Sequence, residues 1–184
     1  MKRLFVCVVV LLSAVQLHAQ KASLSVNLLD CAALGTLNAD VSYAVSRRLS
    51  VTAGVKYNPF TFRSGDREHQ FQMRQRSCAL GVRLWPWHTL SGWWFASRLR
   101  CQEYNFGGIF SREAQEGDRV GAGVYAGYTH MLSRHFNIEF GMGLWAGADF
   151  YRRYSCGVCG TLVGAGTKAF VLPDDLAVSI VYVF

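Results

Sequence analysis

FNIEFGMGLWAGADFY, residues Phe136–Tyr151, sorts its side chains by twos. Phe136, Ile138, Phe140, Met142, Leu144, Ala146, Ala148 and Phe150 fall on one side, with Asn137, Glu139, Gly141, Gly143, Gly147 and Asp149 on the other. Successive side chains of a strand point to opposite faces, whereas a helical period of 3.6 would mix the two sets. The same sorting recurs in LNADVSYAV (Leu37–Val45), LSVTAGVKYN (Leu49–Asn58) and VGAGVYAGYTH (Val120–His130), and less perfectly over Phe71–Trp85 and Trp93–Tyr104. A first strand over Ser23–Leu29 and a last one over Ala177–Phe184 complete a set of eight.

The connections differ in length. Ser46–Arg48, Trp87–Gly92 and Leu132–His135 are short, while Cys31–Thr36, Pro59–Gln70, Gly107–Arg119 and Arg152–Asp175 are mostly longer and more polar. Short turns at one end and longer loops at the other are the pattern of an outer-membrane barrel. The expected fold is therefore all-β, an eight-stranded antiparallel transmembrane β-barrel of outer-membrane type.

A soluble barrel or sandwich also has one apolar face per strand, so the polar face must decide between them. A face turned to water carries Lys and Glu in quantity. Here it is mostly Gly, Ser, Thr and Asn, as a crowded interior requires. Its few charges, Asp40, Lys56, Arg83, Arg98, Arg100, Glu139 and Asp149, nearly balance and are expected to pair inside the lumen, because a buried charge without a partner costs several kcal/mol. Tyr125 and Trp145 point the same way and argue against an open pore, since eight strands enclose a space that side chains can fill.

The apolar face carries Trp85, Trp93, Phe95, Tyr128, Phe136, Tyr182 and Phe184 near the short turns, as an aromatic girdle at a membrane interface would. The terminal AVSIVYVF puts Val178, Ile180, Tyr182 and Phe184 on one face, which resembles the C-terminal signal read by the barrel-insertion machinery. A soluble exported β-protein is the alternative fold reading.

The N-terminal MKRLFVCVVVLLSAVQLHAQ has Lys2 and Arg3 ahead of an apolar run from Leu4 to Val15, and small Ala19 at a cleavage position. This is the layout of a signal peptide over residues 1–19, followed by a barrel over 20–184. The run is shorter than the roughly 20 residues of a membrane-spanning helix. Loss of Lys2 and Arg3 lowers the formal charge from +7 to +5.

Five cysteines follow the signal, in a compartment where disulfides persist. CGVCG places Cys156 and Cys159 at a spacing that suits a disulfide, a metal or redox chemistry. A closed zinc site needs four ligands, and no second such pair or nearby His supplies them. Redox chemistry needs a helix N-terminus to lower the thiol pKa, and this is a loop between strands. A stapled loop is the favoured reading, with no metal and no cofactor. Pairing the strands about the Trp87–Gly92 turn so that Pro86 faces Trp93 sets Leu84 opposite Phe95, Leu80 opposite Leu99 and Cys78 opposite Cys101. Cys78 and Cys101 are then either a cross-strand disulfide or two inert lipid-facing thiols, the latter because free Cys packs as a small hydrophobe.

Basic residues gather at the long-loop end, among them Arg63, Arg67, Arg112, Arg119 and Lys168. Arg74, Arg76, Arg152 and Arg153 are the candidates for contact with outer-membrane lipid and lipopolysaccharide, because Arg pairs well with phosphate. Nucleic acid is not an expected partner of an exported barrel. An enzyme would need a nucleophile, base and orienting acid within reach of one another. Only His69, with Ser64 and Asp66 or Glu68, offers such a cluster at the outer face, and a loop cluster of this kind is ordinarily just solvated. No catalytic residue is assigned, and a lipid-modifying barrel enzyme is the alternative to a structural or surface-interaction role.

Four motifs together resemble a family of outer-membrane β-barrel domains of unknown function common in Bacteroides-type bacteria. They are NLL (Asn27–Leu29), YNP (Tyr57–Pro59), YNFGG (Tyr104–Gly108) and CGVCG (Cys156–Gly160), in that order over nearly the whole mature chain. The resemblance implies a barrel in the outer membrane, with no established activity to carry over. Some relatives in that family add a peptidoglycan-binding domain; here the expectation is the barrel alone, in contact with a surface appendage or another envelope protein.

Overall fold

The structure is a computed structural model that describes residues 21–63, 70–107, 113–155 and 160–184. Its elements are β1 (Ala22–Asn27), α1 (Leu28–Ala32), β2 (Leu37–Ala44), β3 (Leu49–Asn58), β4 (Thr61–Arg63), β5 (Gln70–Leu84), β6 (Gly92–Gly107), β7 (Ala114–Met131), β8 (Phe136–Tyr154) and β9 (Leu162–Val183). Neighbouring strands pair antiparallel throughout. β3 skips the short β4 to pair with β5, and β1 closes the sheet on β9, giving an eight-stranded barrel with β4 as an appendage of β5. No helix among the described residues is long and apolar enough to cross a membrane.

The barrel is inside-out relative to a water-soluble domain. Its buried set includes Ser50, Thr52, Arg83, Arg98, Arg100, Glu139 and Asp149, whereas Leu80, Leu99, Val124, Met142 and Val171 stand exposed on its outer wall. Among the described residues, the register-paired outward positions from Trp93, Tyr128, Phe136 and Tyr182 up to Cys78, Cys101, Val120, Ala148 and Ala169 carry no charge. Trp93 meets Tyr128 edge-on at 5.2 Å, and Phe136 meets Tyr182 at 5.2 Å, so the aromatic band is itself packed. Trp85 departs from the expected girdle. It follows outward Leu84 and therefore turns inward, where it is 1% exposed and donates to Ser50 Oγ at 3.0 Å.

The strands fall into two length classes. β1, β2 and β3 have 6, 8 and 10 residues, near the 9–11 that one tilted pass through a bilayer takes. β5 to β9 have 15, 16, 18, 19 and 22. At about 3.3 Å per residue and ~40° tilt, β9 alone rises roughly 55 Å, about twice a lipid-facing band of ~25 Å. A five-stranded wall thus continues above the short side. Much of what read as loop, Ala114–Arg119 and Leu162–Asp175, is paired strand within that wall. Its residues there are not sorted into one apolar and one polar face, so the alternation that marks a half-buried strand is missing.

Two local devices end the short side. The first strand stops at Asn27, two residues earlier than the sequence pattern suggests, because Asn27 caps α1, its side chain accepting from Leu29 N at 3.1 Å. The same side chain accepts from Val178 N at 3.1 Å and donates to the Leu176 carbonyl at 3.4 Å, finishing the β1–β9 seam. On β9, a β-bulge opposite Gly141–Gly143 inserts one residue and reverses the inward parity above it.

Candidate functional site

Two places in the barrel carry chemistry: the lumen, and the outer surface just above the apolar belt. In the lumen the charges lie in tiers. Arg83 bonds Glu139 at 2.8 Å, and Thr129 donates to the same carboxylate at 3.1 Å. Arg98 faces Asp40 at 3.2 Å, and Lys56 reaches Asp30 of α1 at 2.8 Å. Arg100 pairs with Asp174, which also accepts the Tyr125 hydroxyl at 2.8 Å. Asp149, wholly buried, accepts the Tyr104 hydroxyl at 2.7 Å and lies 3.3 Å from Arg119 and 3.6 Å from Lys168.

Each lumen arginine also lies over a ring. Arg83 sits 4.3 Å from the centre of Trp94, Arg98 5.3 Å from Tyr125, Arg100 5.3 Å from Trp145 and Arg119 3.9 Å from Tyr104. A guanidinium so held has a carboxylate and an aromatic ring close by, which together offset part of the lost water. The rings need space, and glycines supply it. A Cβ on Gly127 would lie 2.3 Å from the Trp94 ring, and one on Gly143 2.1 Å from the Tyr125 ring. Below the charges, Trp85, Leu90, Trp94, Val181 and Val183 form an apolar stopper at the short-turn end. Leu90 is held there by its carbonyl, which accepts from Asn137 at 3.1 Å.

All seven lumen charges read from the sequence face inward. Asp30, Asp174, Arg119 and Lys168 were not read as lumen residues. Asp174 becomes inward only through the bulge; unbroken alternation from Val178 and Ile180 would have turned it outward. Arg119 and Lys168 belong to the lumen rather than to a basic loop rim, because both lie in strand on the Asp149 row.

The outer surface changes character one row above Cys78 and Cys101. Tyr57, Arg76, Glu103, Asp118, Phe150 and Thr167 are consecutive register partners across six strands, and all point outward. The next outward row pairs Arg74, Asn105, Glu116, Arg152 and Ala165. A groove of about 920 Å³ runs along these two rows and touches the residues between them. Because side chains alternate, the two rows form its banks, and the backbone of the inward row between them forms its floor.

Arg76 pairs with Glu103 on the groove's lower bank. On the upper bank Glu116 accepts the Tyr154 hydroxyl at 2.7 Å, which holds that phenol above its ordinary pKa. Of the four predicted lipopolysaccharide contacts, Arg74, Arg76 and Arg152 meet in this groove. Arg153 does not: strand parity puts it on the inner face with Tyr151, 3.8 Å from Glu113.

The register places Cys78 opposite Cys101, Leu80 opposite Leu99 and Leu84 opposite Phe95, as the pairing about the turn predicts. Cys78 and Cys101 are free thiols, the second of the two readings of this pair. Cys156 and Cys159 lie outside the described residues, as do Arg67 and Arg112, the His69 cluster and the predicted signal peptide. The described residues contain no group of three or more His, Cys, Asp or Glu placed to hold a metal.

Over residues 4–184 the sequence matches the family described as "Protein of unknown function (DUF3575)". The chain belongs to the DUF3575 family. No curated protein and no solved structure matches it. What can be said of this DUF3575 protein's chemistry therefore rests on its own side chains: a lumen in which acids and bases are paired and stacked, and a polar outer groove bordering an uncharged wall.

Proposed function

We propose that this DUF3575 barrel is an outer-membrane protein of Bacteroides-type Gram-negative bacteria, exported by its N-terminal signal and inserted through its C-terminal strand. Its role is structural or surface-interacting and non-enzymatic. It anchors a stiff β-wall that stands outside the bilayer and offers that surface to outer-leaflet lipid and to an envelope or appendage protein. The observation that carries this reading is the inverted distribution of polarity, an uncharged apolar exterior around a lumen of paired charges. In lipid every backbone group must be satisfied internally, and a closed sheet with an uncharged exterior meets that demand. The filled lumen and apolar stopper argue against a diffusion channel.

Density-gradient separation of inner and outer membranes, followed by planar-bilayer recording on the purified protein, tests the reading. The expected result is protein in the outer-membrane fraction with no steady ionic current. Recovery in the soluble periplasmic fraction, or a stable open channel, would overturn it.

A further inference from the structure

The outer groove has the composition of a phosphosaccharide site. Arg74 and Arg152 stand on its upper bank in one register row, separated by Asn105 and Glu116. Three interstrand steps of about 4.8 Å put the two arginines roughly 14 Å apart. Arg76 on the lower bank is already tied to Glu103, and Glu116 accepts from Tyr154. The groove therefore has two separated guanidinium forks suited to phosphate; between them the Asn105 amide oxygen, which accepts from Gln72, and the Glu116 carboxylate, which accepts from Tyr154 and Asn105, keep further lone pairs for hydroxyls. Phe150, half exposed, closes the lower bank with an aromatic face.

Its height narrows the ligand. The groove begins one row above Cys101, Val120 and Ala148, where the uncharged belt ends. On the outer-membrane reading, which this inference deepens, that row is where acyl chains give way to headgroups. A plain phospholipid headgroup would use one arginine and leave the hydroxyl acceptors idle. A sugar bearing phosphates at both ends would use the whole groove.

We infer that the groove between the Arg76 and Arg74–Arg152 rows binds the phosphorylated saccharide headgroup of an outer-leaflet glycolipid, whose acyl chains lie along the apolar wall beneath.

The test uses the full protein, extracted from membranes and reconstituted into phosphatidylcholine nanodiscs. These are doped with bisphosphorylated lipid A, enzymatically dephosphorylated lipid A or phosphatidylglycerol, and retained lipid is counted by native mass spectrometry. Wild type should retain the bisphosphorylated form about tenfold better than the other two, and Arg74→Gln with Arg152→Gln should abolish that preference. Arg47→Gln with Arg48→Gln makes the same charge change in the opposite turn and should leave the preference within about twofold. Equal retention of phosphatidylglycerol, or a preference untouched by the Arg74/Arg152 pair, would overturn the site. Failure of the membrane reading itself is distinguishable, because wild type would then lack the outer-membrane fractionation described above.

Discussion

Arg83 Nη1 and the Glu139 carboxylate meet at 2.8 Å, linking β5 to β8 across the lumen, with each side chain 5% exposed. A pair this deep is expensive to break from one side only, because the surviving charge stays buried without its partner. Glu139→Leu or Arg83→Leu alone should lower unfolding free energy by about 3–5 kcal/mol, and the double replacement should recover most of that loss. Guanidinium titration in detergent micelles, followed by tryptophan fluorescence, would measure all three variants. Additive losses in the double variant would show that the two groups do not act as a pair.

Gly143 faces the Tyr125 ring so closely that an added Cβ would lie 2.1 Å from it and 2.7 Å from the Val124 carbonyl oxygen. Neither can give way freely, since Tyr125 is also bonded to Asp174. Gly143→Ala should therefore cost about 1–3 kcal/mol, the usual penalty for overpacking. Gly164, which has open space where its Cβ would be, is the matched control and should tolerate Ala with little change. The same titration compares the two, and equal effects would mean that lumen packing is not what Gly143 serves.

The barrel was legible in the sequence wherever one face met apolar surroundings and the other the lumen. Val41, Val55, Leu80, Leu99 and Val124 alternate with residues that need room or partners, and that contrast defines both strand and face. It fades in the upper wall, where Arg74, Glu103, Glu116 and Arg152 face outward and inward neighbours such as Gln75, Gln102, Gln115 and Arg153 are also polar, so those strands read as loops. The lumen's acids and bases were legible one at a time, but not their partners. Which carboxylate faces Arg100 depends on a one-residue bulge, and Asp30 comes to Lys56 only because Asn27 turns the chain into α1. Trp85 and Arg153 lie on the inner face although their ends of the barrel suggest the outer one; strand parity decides both.

Cys78 and Cys101 stand opposite each other on the uncharged outer wall as free thiols. In intact outer membranes both should resist a charged, membrane-impermeant maleimide and react with an apolar one that partitions into lipid. Intact-mass analysis of a Cys156→Ser, Cys159→Ser variant should give the same mass with and without reductant. A gain of two mass units on reduction would show that the wall positions are bridged, and rapid labelling by the charged reagent would place them in water.

The central claim is that these strands close into a barrel whose apolar wall faces lipid. Electrophoresis of outer-membrane protein with and without boiling tests it most directly, because a closed barrel keeps its compact form in cold sodium dodecyl sulfate and loses it on heating. The expected result is a band that migrates differently before and after boiling, with both forms recovered from the outer-membrane fraction. A single band at one position, from protein found in the soluble periplasmic fraction, would contradict it.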